Sequence, residues 1–134
     1  MNNVETVQAM YAAFGRGDVP GILAHLAEDV DWEYGGGSSD EPLLQPRKGR
    51  EAVPGFFATL VATIDLTRFE PKAFLAGQDV VVVLIDVEAT FKANGRQVIE
   101  EDEVHIWRFG PDGRVTRFRH RADTYQWWAA FHDR

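Results

Sequence analysis

The sequence predicts an α+β fold, a cone-shaped half-barrel in which a curved mixed or antiparallel sheet holds three helices on its concave face. Two observations support this fold class. In the first half of the chain apolar residues recur every three or four positions, as in helices. From Leu66 onward that period disappears, and about four strands follow, separated by turns that contain glycine. Helices followed by a run of strands bury their apolar faces most simply against one side of a single sheet.

Three helices are predicted from spacing and end signals. The first covers about residues 3–15 and ends at a glycine-rich stop. Asp18 caps a short second helix, and Pro20 suits its first turn. The third is the strongest, because apolar residues follow helical spacing without a break from Val53 to Ile64.

Between the second and third helices, a short strand and a loop are predicted. Val30, Trp32 and Tyr34 alternate with acidic residues, so this strand has two large aromatics on its apolar face. Residues 35–42, GGGSSDEP, form a loop.

The register of the two central strands is predicted from Asn94-Gly95, the preferred pair for a two-residue turn. This turn places Ala93 opposite Arg96. On one face, this register pairs Leu84 with His105, Val82 with Trp107, Asp86 with Glu103 and Glu88 with Glu101. On the other face, it pairs Ile85 with Val104 and Val83 with Ile106. Two adjacent carboxylate pairs are unfavourable, so we expect a compensating group or a solvated end of the sheet.

The last turn leaves two registers open. An even loop through Asp112-Gly113 places His120 opposite His105, with Phe118 opposite Trp107. A three-residue loop with Gly113 as a bulge instead places Arg119 opposite His105 and Arg121 opposite Glu103. In both cases His105 is the centre of a mixed polar and aromatic patch.

Composition limits the kind of protein and its partners. A length of 134 residues fits one domain, 1–134, and no apolar stretch is long enough to cross a bilayer. The net charge of −7 repels phosphate backbones and anionic lipids, so we expect neither nucleic acid nor membrane as a partner. There are no cysteines, which excludes disulfides and thiolate sites, and without a signal-like N-terminus we expect a cytoplasmic protein.

Three segments resemble a known family, the nuclear-transport-factor-like superfamily that includes ketosteroid isomerase and the SnoaL-like polyketide cyclases. They are VQAMYAAFGRGDVPGILAHLAEDVDWEY, GREAVPGFF and VHIWRFGPDGRVTRFRHRADT, which together span nearly the whole chain. The resemblance implies a conical barrel, a pocket between sheet and helices, and dimerisation through the outer face of the sheet.

The family's catalytic residues match this chain only in part. In the isomerase pattern, the helix-one tyrosine falls on Met10, the aspartate base on Tyr34 and the acid donor on His105, so steroid isomerisation by that route is not implied. In the cyclase pattern, the pocket histidine matches His105, the aspartate of the last strand matches His120, and a second aspartate matches Asp123. Both comparisons favour the even-loop register.

The candidate catalytic residues are therefore His105, His120 and Asp123. An imidazole exchanges protons near neutral pH, and a pair of titratable groups divides acid and base roles. The residues expected to bind a small apolar substrate are Trp32, Tyr34, Phe57, Glu103, Trp107 and Phe118. The first function hypothesis is an isomerase, cyclase or hydrolase that uses acid/base chemistry and no cofactor. The second is a ligand-binding or interaction module without turnover.

Each candidate also has a structural interpretation. His105 and His120 fit as buried histidines, Asp123 as the cap of a following turn, and the aromatics as ordinary core residues. The alternating arginines of the last strand are expected to pair with Asp102 and Glu100.

A third hypothesis is a metal-assisted variant. Its ligands would be the carboxylates Asp86, Glu88, Glu101 and Glu103 together with His105. Their spacing matches no specific metal motif, so a solvated acidic rim is the preferred interpretation, and we predict no metal site.

A homodimer is predicted from alternation. Val83, Ile85, Val104 and Ile106 form an apolar stripe on the face of the sheet away from the helices. Such a stripe is normally covered by another protein surface, and we expect that surface to be a second copy of the chain.

Overall fold

A computed structural model of the protein describes residues 1–34 and 42–132. The predicted loop at 35–42 therefore lies almost wholly outside the described residues. The elements, in chain order, are α1 Asn3–Gly15, α2 Val19–Leu23, β1 Leu26–Glu33, a 3-10 turn Pro42–Leu44, β2 Arg47–Lys48, a 3-10 turn Arg50–Ala52, α3 Val53–Thr63, β3 Ile64–Ala76, β4 Val80–Phe91, β5 Gln97–Phe109, β6 Val115–Arg121 and α4 Thr124–His132. Among the described residues, no helix has the length and apolar character needed to cross a membrane.

The six strands form one curved, unclosed sheet in the order β2-β1-β6-β5-β4-β3. Four of the five neighbouring pairs are antiparallel, and β1 runs parallel to β6. The sheet is therefore mixed, and the predicted α+β half-barrel is confirmed. The predicted helices also form, and α4 is a fourth helix that sequence analysis placed only as a turn after the last strand.

Local signals explain the first two helices. Asn2 and Glu5 form a capping box at the start of α1, in which each side chain accepts a hydrogen bond from the other residue's backbone N–H. Asp18 caps α2 by accepting from Gly21 N at 2.9 Å. The third helix ends earlier than its apolar pattern suggests, because Ile64 is already extended and begins β3.

The predicted register of β4 with β5 is wrong. Phe91 and Arg96 close a four-residue loop in place of the two-residue turn. Among the described non-glycine residues only Asp102 has a positive φ, so Asn94 does not adopt the conformation that a type I′ turn needs. Its amide instead donates to Ala130 O at 2.7 Å and accepts from Arg96 N at 3.0 Å, which ties the loop to α4.

A bulge on β5 shifts the register a second time. The pairing changes between Ile85 opposite Glu103 and Val87 opposite Glu100, and Asp102 in the skipped segment has φ 61°. As a result Val83, not Leu84, lies opposite His105. The predicted carboxylate pairs do not form, since Asp86 lies on the outer face and pairs with Lys72 at 2.7 Å.

These shifts also correct the apolar stripe predicted for dimerisation. Val83 and Ile85 are fully buried on the inner face, so they belong to the core. Half-buried residues occupy the outer face of the same strands, namely Val82, Leu84, Val104 and Ile106.

The even-loop register of β6 is confirmed. His105 lies opposite His120, and Trp107 lies opposite Phe118. The loop that contains Gly113 has an odd number of residues, which alone would turn the side chains of β6 to the opposite faces. A bulge near Phe109 compensates for it, so His120 and Phe118 keep the faces predicted for the even loop. The prediction that the last-strand arginines pair with Asp102 and Glu100 is wrong for Arg119. Its guanidinium is buried against β1 and binds Asp31 at 2.9 Å.

Candidate functional site

An apolar pocket lies between the helices and the concave face of the sheet. Its lining residues are Met10, Tyr11, Phe14, Ile22, Trp32, Tyr34, Phe56, Phe57, Leu60, Ile64, Leu66, Phe69, His105, Trp107, Phe118 and Trp127. The space open to water within it is about 50 Å³, which is room for a few water molecules. Phe14, Leu66 and Phe69 are only partly buried, so its more open side lies between α1 and β3.

A tyrosine hydroxyl from α1 reaches into this pocket. Tyr11 Oη lies 2.8 Å from His105 Nδ1 and accepts a hydrogen bond from Trp107 Nε1 at 3.0 Å. The apolar stripe of α1 faces the sheet, and alternation on β5 turns His105 and Trp107 toward that stripe. The three side chains therefore join their polar atoms in the wall of an otherwise apolar space.

A buried carboxylate lies behind His105. Glu103 Oε1 is 3.1 Å from His105 Nε2 and 2.8 Å from His120 Nε2. The contact with His120 is close but bent away from hydrogen-bond geometry. His120 Nδ1 contacts Tyr34 O, and the Tyr34 ring stacks on the imidazole. Glu103, His105 and His120 are each at least 95% buried.

Burial and these contacts shift the titration of the cluster. Burial, the largest influence, lowers the pKa of His105, although Glu103 opposes it. Burial also acts to raise the pKa of Glu103, but the charge of His120 and the contacts with both imidazoles outweigh it, so the pKa of Glu103 lies well below its usual value. Burial raises the pKa of Tyr11 above its usual range, so its hydroxyl stays protonated at neutral pH. The site therefore combines a neutral phenol, an imidazole and an anionic carboxylate.

A second buried carboxyl lies next to Glu103. Burial, followed by the hydrogen bond and charge of Glu103, raises the pKa of Glu100 to about 9, so Glu100 is protonated at neutral pH. Glu100 and Glu103 both line an open polar depression at the end of the sheet, beside α4. This pair links the cluster to the surface.

The structure brings most of the predicted site residues together. Trp32, Tyr34, Phe57, Trp107 and Phe118 line the pocket with His105. Tight aromatic contacts join several of them, with the ring centroid of Phe118 4.3 Å from Trp32 and 4.4 Å from Trp107.

Three predicted residues lie outside the pocket lining. Glu103 and His120 sit behind His105, where they contact it or each other and not the cavity. Asp123 is exposed just before α4. Its carboxylate accepts a hydrogen bond from Gln126 N at 3.1 Å as the cap of that helix. The structure therefore does not bring Asp123 to His105.

Sequence analysis missed two residues of the cluster. Tyr11 follows Met10, the position matched to the isomerase tyrosine, and its place on the apolar stripe of α1 was the signal that it faces the pocket. Glu100 carried no comparable signal, because only the bulge at Asp102 turns it inward alongside Glu103.

Several solved structures share this fold. An NTF2-like protein of unknown function from Burkholderia pseudomallei K96243 is 34% identical, with 98% of each chain covered and a TM-score of 0.86. TerC, co-crystallized with polyporic acid, is 28% identical, with 98% of each chain covered and a TM-score of 0.80. A protein from Xanthomonas campestris pv. campestris, named as a candidate polyketide cyclase, is 24% identical over 96% of this chain and 95% of its own, with a TM-score of 0.76. At this last identity the likeness shows the fold alone.

The family assignment rests on a match to a family model over most of the chain. A comparison with curated proteins gives no significant match. The SnoaL-like domain model matches residues 7–118, which include most of α1, the aromatic strand β1, and the His105 and Trp107 positions of the pocket. The chain belongs to the SnoaL-like domain family.

Proposed function

We propose that the protein is an isomerase or cyclase that moves protons next to a carbonyl group of a small aromatic substrate. The observation that carries this proposal is the hydroxyl of Tyr11, which lies in the wall of an apolar pocket within hydrogen-bond distance of His105 and Trp107. A phenol joined to an imidazole is suited to general acid/base catalysis.

The direction of proton transfer depends on the His105 tautomer. When Nδ1 is bare, Tyr11 donates to it, and the phenol oxygen is an acceptor toward the pocket. When Nδ1 carries the proton, Tyr11 accepts from both His105 and Trp107 and donates its own hydrogen toward a substrate oxygen. Glu103 contacts His105 Nε2 and stabilises positive charge on the imidazole when it takes up a proton. The pair can therefore deliver or remove one proton at a substrate carbonyl.

The pocket supports an aromatic substrate. Most of its lining is aromatic or aliphatic, and few polar atoms reach it. Polyporic acid, an aryl-substituted hydroxyquinone, is present in the crystal of the similar protein TerC, and we infer an aromatic hydroxy-carbonyl compound for this chain. A ligand of that size requires the pocket to widen beyond about 50 Å³, and the partly buried Phe14, Leu66 and Phe69 are the side chains placed to move.

The first prediction tests the proton-transfer pair with Tyr11→Phe. This change removes only the hydroxyl, so ligand binding should stay within a few-fold of wild type. Turnover should fall by about 10²–10⁴, the usual contribution of a general acid or base. Binding is measured by tryptophan fluorescence with polyporic acid and smaller hydroxyquinones, and turnover by the change in the ligand's absorption spectrum.

Tyr125→Phe is the matched control, because Tyr125 is exposed on α4 and is not among the residues that line the pocket. Its binding and turnover should equal those of wild type. Unchanged turnover in Tyr11→Phe would show that the Tyr11 hydroxyl takes no part in the chemistry. If no compound of this class binds wild type, the substrate proposal is wrong.

A second candidate function is ligand binding without turnover. The small cavity and the close packing of Trp32, Trp107 and Phe118 favour it, because they make the pocket resemble a core more than an open active site. The same titration separates the two functions: saturable binding with a constant ligand spectrum supports the binding module.

A further inference from the structure

Behind the pocket, two imidazoles and one carboxylate converge at a single buried point. We propose that Glu103, His105 and His120 form a binding site for one divalent first-row transition-metal ion. Each side chain offers one ligand atom, and these three atoms all lie within 4.8 Å of one another. Two imidazoles and a carboxylate are a donor set found in both zinc and iron(II) sites.

The spacing of the donors fits a metal ion. The two distances from Glu103 Oε1 to the imidazole Nε2 atoms are 3.1 Å for His105 and 2.8 Å for His120. Two ligand atoms that each lie about 2.1 Å from a metal at right angles are about 3.0 Å apart. A shared ion therefore needs only small side-chain movements.

The hydrogen-bond inventory of His120 favours an electropositive group at this point. Its Nδ1 faces the carbonyl oxygen of Tyr34, which only accepts, so Nδ1 must carry a hydrogen. In the neutral ring Nε2 then carries a bare lone pair only 2.8 Å from a carboxylate oxygen, which is repulsive. A proton would relieve this repulsion along a straight hydrogen bond, but the contact is bent, and Nε2 has no hydrogen-bond partner in the described part of the chain. A metal ion to one side of the line between the two atoms satisfies both lone pairs.

A further observation supports the site. The outer nitrogen of each imidazole is held in place, that of His105 by Tyr11 and that of His120 by the Tyr34 carbonyl. Metal-binding histidines are oriented in this way by the partner of their other ring nitrogen.

The site also connects to the pocket through Tyr11, which lies 2.8 Å from His105 Nδ1. A metal on Nε2 of His105 leaves the ring hydrogen on Nδ1, so His105 would donate to Tyr11. The Tyr11 hydrogen would then be free to point into the pocket. This link to the substrate rests on the proposed function, whereas the metal site itself does not.

Cobalt(II) binding tests the site without a substrate. Chelator-treated full-length protein is titrated with Co²⁺ while the visible d–d absorption of the ion is recorded. We expect one bound ion per chain, displaced by Zn²⁺, and a thermal midpoint that rises with either metal because the ion binds the folded state. His120→Asn and Glu103→Gln should weaken Co²⁺ binding by about 100-fold or more. Tyr11→Phe, which removes an outer partner, should weaken it by about 10-fold.

His25→Asn is the control for adventitious binding by a histidine outside the cluster, and it should bind as wild type does. If His120→Asn fails to fold, Glu103→Gln, which keeps the side-chain size, gives the answer. Wild-type protein with neither a d–d band nor a metal-dependent thermal midpoint would overturn the proposal. Equal affinity in wild type and in both ligand variants would overturn it as well. Neither result bears on Tyr11→Phe turnover, so this proposal and the proposed function fail separately.

Discussion

At Tyr11, two neighbouring side chains hold one hydroxyl in place in the pocket wall. Tyr11 Oη contacts both His105 and Trp107, and its ring packs near Phe69 at a centroid distance of 5.7 Å. The polar site is thus built on an aromatic wall, and the wall must be rigid for the hydroxyl to keep its position. At the residue scale, the same packing supplies stability and site geometry.

Phe118 is the residue where this coupling is most easily measured. It is 1% exposed and packs between Trp32 and Trp107. Phe118→Ala leaves a cavity among these rings, and we expect it to lower the free energy of unfolding by about 3–5 kcal/mol. Urea denaturation followed by circular dichroism measures the change.

Tyr125→Ala is the comparison for a large aromatic outside the core. Tyr125 is 73% exposed, so we expect a change within about 0.5 kcal/mol. A similar loss of stability in both variants would contradict the assignment of Phe118 to the core.

At the element scale, the join between β1 and β6 determines the position of the aromatic strand. It is the parallel pair of the sheet, and its register shifts between Leu26 and Asp31. Arg119 of β6 crosses to β1, where it binds Asp31 at 2.9 Å and also approaches Glu33. This ion pair fixes the strand that carries Trp32 and Tyr34 into the pocket.

The ion pair predicts a pH dependence of stability. The hydrogen bond from Arg119, opposed by burial and helped by nearby positive charges, lowers the pKa of Asp31 below its unfolded value. A lowered acid pKa stabilises the folded state above the unfolded pKa of about 3.9, and the contribution is lost as pH falls through the lower, folded pKa. We therefore expect wild-type stability to fall more steeply below about pH 4 than that of Asp31→Asn.

Urea midpoints of both proteins at several values between about pH 3 and pH 6 measure this difference. Asp65→Asn on β3 is the control, because Asp65 is mostly exposed and its contact with Lys92 is long, at 3.8 Å. Parallel pH profiles for wild type and Asp31→Asn would show that the Arg119 pair does not stabilise the join.

At the scale of the whole molecule, the two faces of the sheet differ in their side chains and in how far they are covered. The inner face of β4 and β5 is covered by the helices, whereas the outer face carries the half-buried Val82, Leu84, Val104 and Ile106. Apolar side chains of this kind on a sheet face usually mark an interface.

We expect these outer residues to pair with the same face of a second copy. Leu84→Glu places a charge in the middle of this surface and should convert the dimer to a monomer, as measured by light scattering at micromolar concentration. Thr90→Glu, at the end of the same outer row, should leave the mass unchanged. A monomeric mass for wild type would contradict the prediction.

Spacing along the chain was sufficient to predict the architecture and part of the site. Helical periodicity and strand alternation are local properties, so they indicated α1, α3, the strand run and the inward direction of His105, Trp107 and Phe118. Tertiary structure decided what local patterns cannot encode. The Asn94 amide binds α4 across the fold, which lengthened the turn, and the bulge at Asp102 then turned Glu100 and Glu103 inward together.

Those two shifts explain why the carboxylates predicted to form a solvated rim divide between the two faces of the sheet. Asp86 pairs with Lys72 outside, while Glu103 is buried between His105 and His120. The sequence by itself determined the fold and the chemical types available on the inner face. Only the tertiary structure decided which of those groups meet, because one residue of register moves every later side chain of a strand to the opposite face.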